Sequence, residues 1–160
     1  TVSLTSTATT ISGLPTSGYK HLQLFVKAAS SYTMYNGPLY LTFNGDGSNS
    51  YAWHALQSDY GQTTTTGSNG TSYAYYRTTD VAGSYDSPYF GVQIINIYNF
   101  LKTDRYKTIE ELGGMGNTSY PIMSMRGGTY LKTNTLTSIT LTTSNGNFVT
   151  GSQATLFGIK

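Results

Sequence analysis

Apolar residues in this chain recur at every second position and almost never with the three-and-four spacing of a helix. Between Tyr19 and Ala28, Leu22, Leu24, Val26 and Ala28 fall on one side, and His21, Gln23, Phe25 and Lys27 on the other. Leu39, Leu41 and Phe43 alternate with Tyr40 and Thr42, and Tyr51, Trp53 and Ala55 alternate with Ala52, His54 and Leu56. A period of two is the period of a strand. Tyr89 to Tyr98 is the most apolar stretch. Phe90, Val92 and Ile94 form one set and Ile95 and Ile97 the other, which predicts a strand buried on both faces.

Further strands are predicted at Lys107–Gly113, Tyr120–Arg126, Leu136–Thr142 and Ala154–Ile159, and the first ten residues, with Val2, Leu4 and Ile11, suggest one more. Tyr73–Thr79 is rich in Tyr and Thr but poor in aliphatics, so it reads as an edge or exposed strand. Asn36-Gly37-Pro38, Asn44-Gly45-Asp46-Gly47, Gly113-Gly114, Gly127-Gly128 and Asn145-Gly146 supply the positive-φ positions that reversals need. Ser58–Ser72 and Asp80–Ser87 are longer connections, the first free of aliphatic residues. Thr103–Leu112 is the best helical candidate, but Tyr106, Thr108 and Ile109 prefer strands, so it reads as a loop entering one. The chain is therefore expected to be all-β: one antiparallel β-sandwich over residues 1–160, jelly-roll-like, of about nine or ten strands. Residues 1–17, rich in Thr and Ser, read as an N-terminal arm or linker from a longer chain.

Composition removes other classes. Charged residues are 10% of the chain, against about 25% in an average soluble domain. In their place stand 27 Thr, 18 Ser, 18 Gly and 15 Tyr. Only two Glu occur, Glu110 and Glu111, too few for a helical bundle or coiled coil. Without Cys there is no disulfide framework, thiolate site or Cys nucleophile. No apolar run approaches the roughly 18 residues of a membrane-spanning helix. The net charge is +2, and the one basic cluster, Lys102, Arg105 and Lys107, sits among Asp104, Glu110 and Glu111. It reads as a solvated mixed-charge loop, not as a nucleic-acid surface.

Candidates for chemistry are few. His21 and His54 have no carboxylate at a motif spacing, and no G-x-S-x-G elbow occurs. Two His cannot furnish a zinc site alone. Most Asp residues stand in turns, where side-chain hydrogen bonding explains them. Glu110 and Glu111 are adjacent, so on a strand they face opposite ways; an inward one needs a partner such as Arg126 or Lys107. Asn44–Asn49 faintly resembles a calcium loop, but Ala55 stands where the helical-loop motif needs Glu, and a hairpin turn is preferred. No catalytic residue, metal site or cofactor is expected. The candidate ligand-binding set is Tyr73, Tyr75 and Tyr76 with Tyr85 and Asp86. Such rings stack on sugars, pack against a neighbouring subunit or pair across strands, and all three uses stay open.

Four stretches line up in order: GYKHLQLFVKA, LYLTFNGDGSNSYAWHALQSD, FGVQIINIYNFLKTDRYKTIEELGGM and LTSITLTTSNGNFVTGSQATLFGIK. Together, from Gly18 to Lys160, they resemble a β-rich virion structural or tail-fibre domain of tailed bacteriophages, notably those of marine bacteria and cyanobacteria. The resemblance implies a non-enzymatic surface protein of the extracellular particle. It also implies a homo-oligomer, a trimer or a lattice member, contacting other virion proteins or a host glycan without nucleic acid or membrane insertion. A capsid decoration protein and a glycan-degrading spike domain are the alternatives. The Tyr73–Tyr76 stretch lies outside the shared pattern.

Overall fold

The computed structural model describes residues 1–59, 62–67, 73–116 and 120–160, with backbone alone for 59, 62–67 and 86. Its strands are β1 (Val2–Ser3), β2 (Ala8–Ser12), β3 (His21–Ala28), β4 (Asn36–Gly37), β5 (Leu39–Phe43), β6 (Tyr51–Asp59) and β7 (Gln62–Gly67). They continue as β8 (Tyr76–Arg77), β9 (Val81–Ala82), β10 (Gly91–Tyr98), β11 (Lys107–Met115), β12 (Ile122–Tyr130), β13 (Ser138–Thr143) and β14 (Gln153–Ile159). Setting aside the two-residue pieces β1, β4, β8 and β9, ten strands remain. A single 3₁₀ turn, Ser84–Asp86, interrupts them, and no α-helix occurs among the described residues.

Two unequal antiparallel sheets form a sandwich. The larger has eight strands in the order β1–β14–β3–β10–β11–β12–β6–β7, and the smaller has four, β2–β13–β5–β8. A two-stranded ribbon, β4–β9, closes one end. The core lies between the sheets. Leu22, Leu24, Val26, Ile95, Ile97 and Ile109 of the larger sheet meet Leu39, Leu41, Phe43, Ile139 and Leu141 of the smaller, all within one buried cluster. These are the inward residues that the period of two selects. Residues 1–17 do not stand apart: β1 pairs with β14, β2 pairs with β13, and Leu4 and Leu14 are buried in the core.

The structure revises several sequence expectations. Gln62–Gly67, expected within an aliphatic-free loop, pairs with β6 from Asp59 back to His54. The Tyr73–Thr79 run supplies only the two-residue edge strand β8, and Tyr76, Thr78 and Thr79 are fully buried instead of exposed. Lys107 is no solvated loop residue. It is 0% exposed, and its ammonium donates to the carbonyl oxygens of Lys102, Arg105 and Thr133. It thereby ties together the loops before β11 and after β12, and its cost of burial is offset by charge-assisted bonds.

The Asn44–Gly45 turn joins β5 to the segment before β6. Asn44 adopts φ 54° and Gly45 φ 67°. The Asn44 side chain accepts from the Thr137 backbone N–H at 2.7 Å and donates to the Thr135 carbonyl at 2.8 Å. Asp46 accepts from the Ser48 N–H at 2.8 Å and from the Tyr130 hydroxyl at 2.9 Å. The oxygens that made this segment look like a cation loop are engaged in holding a turn, which is the preferred sequence reading.

Candidate functional site

The two outer faces of the sandwich differ in chemistry. On the smaller sheet the outward positions carry Thr10, Ser138, Thr140, Thr142, Thr42 and Tyr40, and hydroxyls bond across strands, as between Thr10 and Thr140 at 2.9 Å. This face suits water.

The outward face of the larger sheet does not. Register aligns Phe25 with Ile94, Ile94 with Leu112, Leu112 with Met125 and Met125 with Leu56. One uninterrupted apolar row thus crosses β3, β10, β11, β12 and β6. Val92 and Met123 lie in the neighbouring row, separated by Gly114. Phe157 of β14 extends the patch, its ring meeting Phe25 edge-on at 5.6 Å between centroids. Phe25, Leu56, Val92, Leu112, Met123, Met125 and Phe157 are each 40–61% exposed. A shallow groove of about 460 Å³ runs over this face, lined by Phe25, Lys27, Val92, Leu112, Met123 and Thr155 among others. Contiguous apolar patches on monomers seldom exceed about 300–600 Å², and seven side chains of this size, half open, present roughly 600–700 Å².

The expectation that Tyr89–Tyr98 is buried on both faces is therefore corrected. In β10 Gly91, Gln93, Ile95 and Ile97 are sealed inward, while Val92 is open and Ile94 half-buried. The sequence pattern has the composition of a doubly covered strand, but the described residues provide a single cover.

Few charges border this face. Lys27 stands on one flank, with its ammonium over the Phe90 ring at 4.4 Å. Glu110 stands on the other, accepting from the Tyr98 hydroxyl at 2.7 Å, in the row where Gln23 donates to Asn96 at 2.9 Å. His54 is exposed at the far end of the same row.

The structure disperses the tyrosines singled out in the sequence. Tyr76 is wholly buried between the sheets and closed to any ligand. Tyr75 stacks on Tyr40 at 3.9 Å, and Tyr73 packs beside Tyr75 and Trp53, so both serve cross-strand packing at the rim of the smaller sheet. Tyr85 lies elsewhere, 62% exposed, edge-on to Tyr35, which in turn lies nearly parallel to Tyr120 at 6.1 Å. The Asp86 side chain lies outside the described residues. The outer-face row was not singled out, although Phe25, Ile94, Leu112 and Met125 each stand opposite the core set of their own strand. Strand pairing, which a single sequence does not display, aligns them.

Carboxylates offer no reactive pair at the surface among the described residues. Glu111 points inward from β11, directly across from Arg126 of β12. Its Oε1 accepts the Thr79 backbone N–H at 2.6 Å, and burial pushes its carboxyl pKa up to about 7. Asp80, also buried, is held by Arg77 at 3.1 Å and Asn36 at 3.2 Å. Both acids are buried side chains, Glu111 beneath Thr79 and Asp80 the residue that follows it. The described residues hold no cluster of three or more His, Cys, Asp or Glu, and no helix among them is long and apolar enough to cross a membrane.

No family model, no curated protein and no solved structure matches this chain.

Proposed function

We propose that this chain is a non-enzymatic surface domain of a bacteriophage virion, a tail-fibre or decoration component that works by packing against neighbouring proteins. One observation carries the reading: an apolar row crosses five strands on the outward face of the larger sheet. A face of this size without a cover marks an association site. The ordered sequence resemblance supplies the particle, and the inward, sealed position of Glu111 and Asp80 supports the absence of acid–base chemistry on a glycan.

Purified phage particles test this reading. Mass spectrometry is expected to find the chain in the particle, with lysine cross-links from Lys27 to another virion chain or a second copy. A few tens of copies at most identify a fibre, and hundreds a decoration protein, as closed symmetric assembly requires on the order of these numbers. A chain absent from washed particles overturns the proposal.

A host glycan is the second reading. It is favoured by the exposed Tyr85 and Tyr35 rings, which present flat apolar surface with polar tips. On a glycan array, Tyr85→Ala is expected to abolish whatever signal the native chain gives. An unchanged signal removes Tyr85 from receptor contact.

A further inference from the structure

We infer that the occupant of the apolar outer face is a second copy of this chain, turned about a twofold axis that lies along the Phe25–Ile94–Leu112–Met125–Leu56 row. The inference rests on the assembly reading above and names its partner.

Three features of the face favour a copy of itself. The first is size. Roughly 600–700 Å² of apolar surface per chain, with the polar rim added, reaches the ~800 Å² per partner of a standard stable interface. The second is the pattern of charge. The central row is uncharged from end to end, so laying it on its twin buries no ion. Its two flanks carry opposite signs, Lys27 on one side and Glu110 on the other. A twofold axis along the row superposes one flank on the other strand by strand, so Lys27 of β3 meets the partner's Gln23 and Met123 of β12 meets the partner's Gly127, each twice over, with no two like charges face to face. An axis of this kind makes the contact self-complementary, as an isologous interface must be. The third is relief. Gly114 and Gly127 interrupt the face without side chains, and a Cβ at Gly127 would meet nothing within 4 Å. Large outward residues of a copy, such as Met123, have recesses to enter. Two twisted sheets packed this way match the aligned packing of sandwiches, about 10 Å apart.

Sedimentation velocity of the whole chain tests this, between about 1 and 100 μM. The native chain is expected as a species of about twice 17.3 kDa. Leu112→Arg is expected to weaken dimerisation about 30-fold or more, as loss of a central anchor does. Leu112 is half exposed in the single chain, so its far-UV spectrum and unfolding midpoint should stay native. Gln23→Lys, which sets a cation opposite the partner's Lys27, is expected to weaken the dimer about 2–5-fold, and Gln23→Glu to strengthen it by a similar factor, the scale of a rim ion pair. A native chain that stays monomeric at 100 μM overturns the inference. A trimer overturns the twofold packing, and Gln23 variants that both leave the dimer unchanged overturn the proposed axis. Should the monomer still carry particle cross-links from Lys27, the second copy fails as the partner while the virion reading stands.

Discussion

Replacing Tyr76 by Ala is expected to destabilise the fold by about 3–5 kcal/mol, the range for deleting a large ring from a packed core. Replacing it by Phe is expected to leave stability unchanged or raise it by about 1 kcal/mol. The ring is fully buried and comes from β8 at the edge of the smaller sheet. It lies directly on the backbone of β12 in the larger sheet, because Gly128 has no side chain to hold it off. A Cβ at Gly128 would collide with the Tyr76 ring and come within 2.6 Å of the Ala52 carbonyl oxygen. The hydroxyl has no hydrogen-bond partner among the described residues. Removing an unpaired buried hydroxyl takes away a desolvation penalty without opening a cavity. Gly128→Ala probes the same contact from the other side and is expected to cost about 1–3 kcal/mol by overpacking. Urea denaturation of the three variants measures all of this. A Tyr76→Phe variant weaker than native by more than about 1 kcal/mol shows that the hydroxyl is bonded after all.

Tyr76 also marks a limit of what is legible in the chain. Its neighbours Tyr73, Tyr75 and Arg77 make the run look like a polar edge, and local periodicity carries no sign that this edge strand folds across the mouth of the sandwich. Alternation did identify the inward residues of β3, β5 and β6, because there the core face is also the apolar face. It likewise separated Glu110 from Glu111, since adjacent strand residues must face opposite ways, and offered Arg126 or Lys107 as partner; Arg126 stands across from Glu111 but bonds Gln57, and Lys107 bonds carbonyls. The burial of Lys107, read from sequence as part of a solvated loop, has no sequence signal because its partners are main-chain carbonyls, and these carry no side-chain signature. β7 escaped notice because a Thr tract pairs through its backbone.

The outer face of the larger sheet was the least legible part and the most informative. Val92 and Ile94 read as core, and by composition they are core; only the structure shows that no described strand forms a second layer over them. Thr and Ser give the sandwich a neutral hydroxyl coat. The coat exists on the smaller sheet alone. One solvated face and one apolar face on the same sandwich is the asymmetry of a building block.

Stability is expected to fall as pH rises from 5 to 9, and Glu111 is the reason. In the unfolded chain its carboxyl titrates near the ordinary 4.5; in the fold, burial pushes it up to about 7. Bonds from Thr79 and the field of Arg126 pull the other way, and Asp80 adds to the upward push. The folded state thus holds a proton that the unfolded state has released. Stability from this group is complete below pH 4.5 and is lost as pH climbs through 7, by about 3 kcal/mol in total. The surroundings explain why ionisation is poorly supported. Oε2 of Glu111 and the Nε and Nη1 of Arg126 lack hydrogen-bond partners among the described residues, although the two residues stand opposite each other. Arg126 is turned to Gln57, to which its Nη2 donates at 2.6 Å, and its guanidinium lies over the Trp53 ring at 5.5 Å. Asp80 and Arg77 neutralise each other nearby, and Gln93 donates to the Thr79 carbonyl instead of to Glu111. Glu111→Gln keeps the acceptor for the Thr79 N–H and removes the titration. Urea unfolding at pH 5 should find the variant within about 0.5 kcal/mol of native, and at pH 9 more stable than native by about 3 kcal/mol. The difference between the two chains isolates Glu111 from every other titrating group. A native chain that outlasts the variant at pH 9 means that Glu111 ionises in the fold and pairs with Arg126, and the buried acid then holds the two sheets' end together as an ion pair instead of loosening it in alkali.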